Sequence, residues 1–450
     1  MSLKISKNFT LSRSDITAEQ EAAISALYEK NTLLIAEAGF GKAAVGQTAV
    51  QELLTDGVLA RVLVVAPLAV CNLTWGSEWR KWEHLYEPGI ATGTPAQRAA
   101  VIEGDKKIVV INIENLKWFL KTYKNHDFDG LLIDEISKFK AAGGAIMKAL
   151  RPRLKDFTWR SGMTATPVNE AGADLYCQVM IVDDGKALGK SQDHFRRKYL
   201  MQMDFKGYKW DFQRGGAEAL AEDLRPVVHV ADAKGYTDSL PAIEDLVIKV
   251  SLTPESREHY RAMSKEMFVK IGAQETEAAN LAVVSGKLQQ IANGFLYDDD
   301  GDTIDLSTEK HAIVKEWLAR PEPLLLVYQW EHEKQFLRGL GVNIFADDKG
   351  GLAEKWNSRE INSLAIHPKS AAHGLNLQAG GDKMLILSPF WSSDAWEQIF
   401  SRIWRRGQKA KICTRVVLVC ENTVEELALA KLQSKKLAAG ALVEHLRKNI

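Results

Sequence analysis

The stretch "AEAGFGKAAVGQ" (36–47) holds Gly39, Gly41 and Lys42 at the spacing of a loop that wraps a nucleoside triphosphate. The apolar run "TLLIA" precedes it, and "KAAVGQTAVQELL" (42–54), which reads as a helix, follows. Unpaired N–H groups at a helix start, together with the helix dipole, favour phosphate. Lys42 would reach the terminal phosphates. Gly39, Phe40, Gly41, Lys42 and Ala43 are the candidate nucleotide-binding residues. Position 43 should carry a hydroxyl to help hold magnesium, and it is alanine. Standing alone, the same stretch also reads as a tight strand-to-helix turn with a solvated lysine.

A second candidate is "LLIDEISKF" (131–139), an apolar strand ending in two carboxylates. Asp134 would hold Mg2+, directly or through water, and Glu135 would orient and deprotonate an attacking water. A third is "SGMTATPVNE" (161–170), where Thr164 and Thr166 could link a nucleotide site to a facing domain. The fourth is "WEQIFSRIWRRGQKAK" (396–411). Its Gln398, Arg402, Arg405 and Arg406 stand at near-helical spacing, with Arg402 and Arg405 on one face. Guanidinium groups can close on a γ-phosphate as arginine fingers; a basic amphipathic helix facing solvent or nucleic-acid phosphate would look similar.

Positioning these groups requires strands buried on both faces. "ARVLVVAP" (60–67), "KIVVINI" (107–113), "GLLIDE" (130–135) and "FTWRSGMTAT" (157–166) are continuous apolar runs with room for helices between them. Continuous rather than alternating runs indicate a parallel sheet in an α/β domain. Residues 180–240 are polar, aromatic and aperiodic and read as an insertion or a connecting region. "LPAIEDLVIKVSLT" (240–253) then opens a second series, continued by 323–330, 342–347, 362–368, 383–389 and 414–420. "PESREHYRAMSKEMFVKIGAQ" reads as a helix with Pro254 near its start.

Taken in order, "ITAEQ" (16–20), "AEAGFGKA" (36–43), "VLVVAPLAVCNLTWGSEWRKW" (62–82), "LLIDEISKF", "SGMTATP", "LLLVYQW", "HPKSAAHGLNLQAG" (367–380) and "QIFSRIWRRGQ" (398–408) resemble the superfamily 2 helicase-like ATPases. "GLNLQAG" with "LILSPFWSSDAWEQIFSRIWRRGQ", "SLTPESREHY" with "KLQQIANGFLY", and "STEKHAIVKEWL" (307–318) resemble the Swi/Snf-type branch. The resemblance runs from about residue 16 to 426. It implies two RecA-like parallel-sheet domains in tandem, about 1–232 and 233–450, with a cleft between them. It implies Gln20 as the adenine-reading glutamine, Gly39, Gly41 and Lys42 as the phosphate cradle, and Asp134 and Glu135 as the magnesium and water-activating pair. It assigns Gln398, Arg402 and Arg405 to the sixth motif. Pro67, Asn112, Thr164, Thr166, Ser370, Gly374 and Asn376 fall where such proteins touch nucleic-acid backbone or link it to ATP. Such contacts go mostly to phosphate, so sequence specificity is not expected.

The expected activity is an ATP- and Mg2+-dependent motor on nucleic acid, foremost a translocase or annealing ATPase on double-stranded DNA. A strand-separating helicase on DNA or RNA is one alternative. An ATP-gated clamp without useful turnover is another, because Ala43 weakens the case for hydrolysis. With 450 residues and no room for long insertions, the chain reads as a minimal bacterial or viral motor acting as a monomer. The residues name no replication or recombination partner.

The formal net charge of zero excludes a purely electrostatic nucleic-acid binder but not a local basic groove. No apolar run is long enough to span a bilayer, and "MSLKISKNFTLSRSD" has no signal-peptide character. Four dispersed cysteines suit a reduced, cytosolic setting, and the resemblance to a compact motor implies that of a bacterium or a virus-infected host. Trp75, Trp79 and Trp82 read as a core stripe on one helical face in preference to a base-stacking platform. "HFRRKYLMQMDFKGYKW" (194–210) reads equally as a duplex-facing surface or a solvated insertion. "YDDDGDT" (297–303) reads as a hairpin turn, since it lacks the spaced ligands of a calcium loop.

Overall fold

The computed structural model describes residues 11–139, 143–167, 173–203, 210–231, 240–273, 278–298, 300–306, 308–348, 351–368 and 375–433. The chain separates into two compact units, the first comprising Met1–Asp238 with Lys435–Ile450 and the second Ser239–Ser434.

In the first unit the strands are β1 (Leu33–Ile35), β2 (Val62–Ala66), β3 (Gly89–Ala91), β4 (Ile108–Asn112), β5 (Gly130–Asp134), β6 (Trp159–Thr164), β7 (Leu200–Gln202), β8 (Trp210–Phe212) and β9 (Val228–Val230). Seven form one sheet in the order β3-β4-β2-β5-β6-β1-β9, and every pairing in it is parallel. β7 and β8 form a separate antiparallel hairpin. The continuous apolar runs follow from burial on both faces. Leu63 and Val65 pack into one core, while Val62, Val64 and Ala66 pack into the core on the opposite face.

Helix α1 (Ala18–Glu29) starts at Thr17, whose hydroxyl accepts from the Gln20 N–H while the Gln20 side chain accepts from the Thr17 N–H. This reciprocal cap satisfies two otherwise orphaned donors. Helix α2 (Lys42–Thr55) leaves the phosphate-type loop and lies hard against the sheet. A Cβ at its Gly46 would sit 2.9 Å from Met163 Cε and 3.2 Å from Leu132 Cδ2, so glycine there permits the close approach.

The second unit carries β10 (Ala242–Val250), β11 (Phe295–Tyr297), β12 (Thr303–Asp305), β13 (Leu324–Val327), β14 (Asn343–Ile344), β15 (Ser363–Ile366), β16 (Lys383–Ile386) and β17 (Ile412–Cys420). Its six-stranded sheet runs β10-β17-β16-β13-β15-β14, again all parallel. Leu325 and Val327 face one core, Leu324 and Leu326 the other. The helix Pro254–Ala273 begins at its proline. β11 and β12 form the expected hairpin, its turn held by the Asp300 and Asp302 N–H groups donating to Asp298 Oδ1.

Three readings need correction. Part of the supposed insertion is integral to the sheet, since β9 pairs along the whole of β1. The tryptophan stripe is core, as expected, but no single helix carries it. A wide π-type turn (Val70–Trp75) passes into a short helical turn at Gly76–Glu78, and Trp79 and Trp82 pack in a different cluster from Trp75. Lastly, the helix bearing Gln398 spans Ser393–Phe400 and stops there, so Arg402 and Arg405 lie in the turns that follow it.

Candidate nucleotide site and its relatives

Strand order gathers the first unit's candidate residues. β6 lies between β5 and β1, with Asp134 level with Met163 and Ile35 level with Thr164. The loop after β1, the carboxylates closing β5 and the threonines closing β6 therefore share the carboxyl edge of one parallel sheet, where ligands of open α/β sheets bind. Pro67 follows β2 and Asn112 closes β4, which places both on that same edge.

The loop is built by its glycines. Gly39 and Gly41 have φ of 89° and 94°, a region that side chains rarely adopt. Gly41 also caps α2, and a Cβ on it would lie 2.6 Å from Gln20 Nε2. Gln20 is close because its amide donates to the Phe40 carbonyl at 2.8 Å, bracing the loop from α1. Phe40 itself is buried in the core below. Lys42 Nζ donates to the carbonyls of Ala36 (2.9 Å) and Glu37 (3.1 Å), the chain just ahead of it. Ala43 sits in the first turn of α2. Thr48 cannot stand in for its missing hydroxyl: it is fully buried and shares a 2.9 Å hydrogen bond with His84 Nε2.

Asp134 is buried, and burial pushes its carboxyl up to about 6, with the neighbouring Glu135 adding to the rise and a hydrogen bond from Trp75 opposing it. Glu135 adopts a left-handed backbone, φ 67°. Its Oε1 accepts from Ser137 Oγ at 2.6 Å and from Thr164 Oγ1 at 3.1 Å. The Thr164 hydroxyl also accepts from the Thr166 N–H at 3.1 Å. Asn112 Nδ2 donates to Glu114, and Asn112 Oδ1 accepts from Asn115.

These residues suit a nucleotide with a divalent cation. The loop offers backbone and a lysine to phosphate. Two adjacent carboxylates, one of them costly to ionise, would be relieved by a cation. Among the described residues no group of three or more His, Cys, Asp or Glu gathers for a metal. Mg2+ at Asp134 would thus rely on phosphate and water for its remaining ligands, as this ion often does.

In the second unit, Arg402 Nε donates to the Gln398 carbonyl (2.9 Å) and its Nη1 to the Leu375 carbonyl (3.2 Å). Arg405 reaches the same Leu375 carbonyl (3.5 Å) and Asn376 Oδ1. Gln398 and Arg402 are buried. Ser370 and Gly374 lie outside the described residues.

Two participants escaped the sequence reading. Trp75 donates its indole N–H to Asp134, and Ser137 donates to Glu135. Nothing in the spacing separates Trp75 from its core neighbours. Ser137 was discoverable, as a hydroxyl two residues past a carboxylate.

Residues 17–295 match the family described as SNF2-related domain. The chain belongs to the SNF2-related family. The Swi/Snf-type recognition drawn from its motifs therefore holds. A protein designated p41 from Acyrthosiphon pisum secondary endosymbiont phage 1 is 30% identical over 439 residues, covering 91% of this chain and 94% of that protein. The chromatin remodeling factor mit1 of Schizosaccharomyces pombe is 20% identical over 86% of this chain. The DNA repair and recombination protein RAD54 of Saccharomyces cerevisiae is 21% identical over 77%. This SNF2-related chain spans 30% of mit1 and 43% of RAD54, so those relatives are far longer. Among solved structures, the Sulfolobus solfataricus SWI2/SNF2 ATPase core in complex with dsDNA aligns over 96% of this chain and 94% of that one, at 18% identity and a TM-score of 0.45. No helix among the described residues is long and apolar enough to cross a membrane.

Proposed function

We propose that this SNF2-related chain is a Swi/Snf-type ATPase that moves along or remodels double-stranded DNA. The observation that carries the reading is the meeting of Lys42, Asp134, Glu135 and Thr164 on one sheet edge beside a glycine-built phosphate loop. Lys42 leaves the carbonyls of Ala36 and Glu37 to bind the terminal phosphates. Asp134 holds Mg2+, which supplies charge neutralisation at the phosphates when bound. Glu135 orients the attacking water and takes its proton, while Thr164 and Ser137 fix its carboxylate. Gln20 braces the loop as well as facing the base. Arg402 and Arg405 serve as the arginines that act on the γ-phosphate during turnover. Pro67, Asn112, Thr166 and Asn376, with Ser370 and Gly374, engage the DNA backbone or relay its presence.

One relative is a DNA repair and recombination protein, which supports DNA as the polymer. Family membership does not favour a strand-separating helicase or an ATP-gated clamp. The missing hydroxyl at residue 43 slows turnover without abolishing it. The chain acts as a monomer in the cytoplasm of a bacterium or phage-infected cell, a setting supported by the phage relative.

The test is phosphate release with Mg2+ and ATP, with and without double-stranded DNA. DNA-stimulated release, lost in Glu135→Gln, is expected. Nucleotide binding with no release under any DNA condition would replace the motor with a clamp.

A further inference from the structure

Asp134 lies at the end of β5, and β2 is the neighbouring strand, with Val65 level with Ile133. The chain leaving β2 must therefore pass beside the carboxylate. It does so through the wide turn Val70–Trp75, which ends by placing the Trp75 indole in the core. Trp75 is fully buried, and its Nε1–H donates to Asp134 Oδ2 at 2.9 Å. Although 59 residues apart, the two are locked together by the topology of the sheet.

An indole N–H is a donor only, neutral and of fixed direction. It cannot ligate a cation and brings no positive charge to compete with one. A ring held in a close-packed core can fix the plane of the carboxylate it touches, whereas a mobile lysine or water cannot. Outer-shell donors of this kind orient metal-binding side chains, and their loss typically weakens metal affinity by about 10–100-fold. The need is sharper here than in a loop with a hydroxyl at residue 43, because Ala43 provides no side-chain ligand to help place the cation.

We propose that Trp75 is the positioning residue for the divalent cation, holding Asp134 in its ligating orientation through the indole N–H. This rests on the reading of the site as a nucleotide–Mg2+ site. Trp75 touches neither cation nor nucleotide and acts only through Asp134.

The experiment uses the full chain and a fluorescent ADP analogue, with affinity measured in EDTA and across a Mg2+ titration. For Trp75→Phe, affinity in EDTA stays within about twofold of the parent, and the Mg2+ midpoint rises about 10-fold. In an Asp134→Asn background, Trp75→Phe adds no further shift. A Mg2+ midpoint equal to the parent's in Trp75→Phe, or an equal further shift on top of Asp134→Asn, overturns the proposal. Should Trp75→Phe fail to fold, β-(3-benzothienyl)alanine at position 75 keeps the bicyclic shape and replaces only the N–H. If the parent protein binds nucleotide with no Mg2+ dependence, the nucleotide–Mg2+ reading itself fails, a result distinct from an unshifted Trp75→Phe.

Discussion

Thr164 Oγ1 donates to Glu135 Oε1 at 3.1 Å, joining the ends of the adjacent strands β6 and β5. Glu135 sits at a strained left-handed position, so its side chain direction depends on such partners. Thr164→Val keeps the volume and deletes this bond, along with the one the hydroxyl accepts from the Thr166 N–H. Losing one hydrogen bond of about 1.4 kcal/mol corresponds to roughly a tenfold fall in kcat. Nucleotide affinity should remain within about twofold, since Thr164 does not form the phosphate loop. Glu135→Gln should reduce kcat by about 100-fold or more. Single-turnover hydrolysis beside equilibrium binding separates the two effects.

Ala43 stands in the first turn of α2, and the only nearby helical hydroxyl, Thr48, is committed to His84. Restoring the missing hydroxyl by Ala43→Thr should raise Mg2+-dependent kcat by about 10- to 100-fold, because small misplacements of reacting groups are costly. Affinity should gain less, up to about 30-fold, the cost of a water standing in for the ligand. Steady-state phosphate release across a Mg2+ series checks both. Equal rates in the two proteins would mean that the cation is already well placed without this ligand.

Arg402 and Arg405 share the Leu375 carbonyl yet differ in burial, and this predicts different variants. Arg405→Ala should lower DNA-stimulated kcat by about 1,000-fold, the lower range for an arginine finger, with little change in thermal midpoint. Arg402→Ala should lose both turnover and stability, because the buried guanidinium also holds the Gln398 carbonyl at the end of its helix. Melting curves recorded beside the rates distinguish them.

The parts of this protein that were legible are those where one force dominates. Strands such as Val62–Ala66 and Leu324–Val327 are buried on both faces, so their sequences are apolar without interruption. Gly39 and Gly41 were legible as a turn, because both adopt a positive φ that side chains rarely reach. β3 and β9 are three residues each, too short for periodicity to register, and their place at the sheet edges comes from pairing with β4 and β1. Arg402 and Arg405 kept a helical spacing that the backbone does not follow, because the helix is already capped at Ser401. Trp75 was read as core, and it is, but its N–H direction depends on a strand neighbour far along the chain. No local pattern encodes that.

Lys310 carries a buried network in the second unit. Its Nζ donates to both Glu425 oxygens at 2.8 Å, to Asn293 Oδ1 at 2.8 Å and to the Leu387 carbonyl at 3.0 Å. Glu425 also accepts from the Cys420 N–H and Asn293 Nδ2. Removing one partner strands a buried charge. Lys310→Met should therefore destabilise the protein by about 3–5 kcal/mol. The double variant Lys310→Met with Glu425→Met should lose less than the single change, since no unpaired charge remains. Urea denaturation of the three proteins measures the difference.

Glu333 gives the clearest pH signature outside the nucleotide site. Its Oε2 accepts from the Gln329 and Trp330 N–H groups at 2.6 and 3.1 Å, and its Oε1 from Ser388 Oγ at 3.3 Å. Burial nevertheless pushes its carboxyl up from 4.5 to about 7, against those hydrogen bonds and the pull of Lys310. The folded protein thus keeps a proton that the unfolded chain releases above about 4.5. Stability from this group is fully present below pH 4.5 and is lost as pH rises through 7. A shift of this size corresponds to something on the order of 3 kcal/mol. Glu333→Gln retains an acceptor for both backbone N–H groups and a donor for Ser388, and it cannot titrate. The stability difference between parent and Glu333→Gln should therefore change steadily in the variant's favour between pH 5 and 8. Denaturant midpoints at each pH provide the measurement. A constant difference across that range would place the Glu333 carboxyl at an ordinary value and remove its pH contribution.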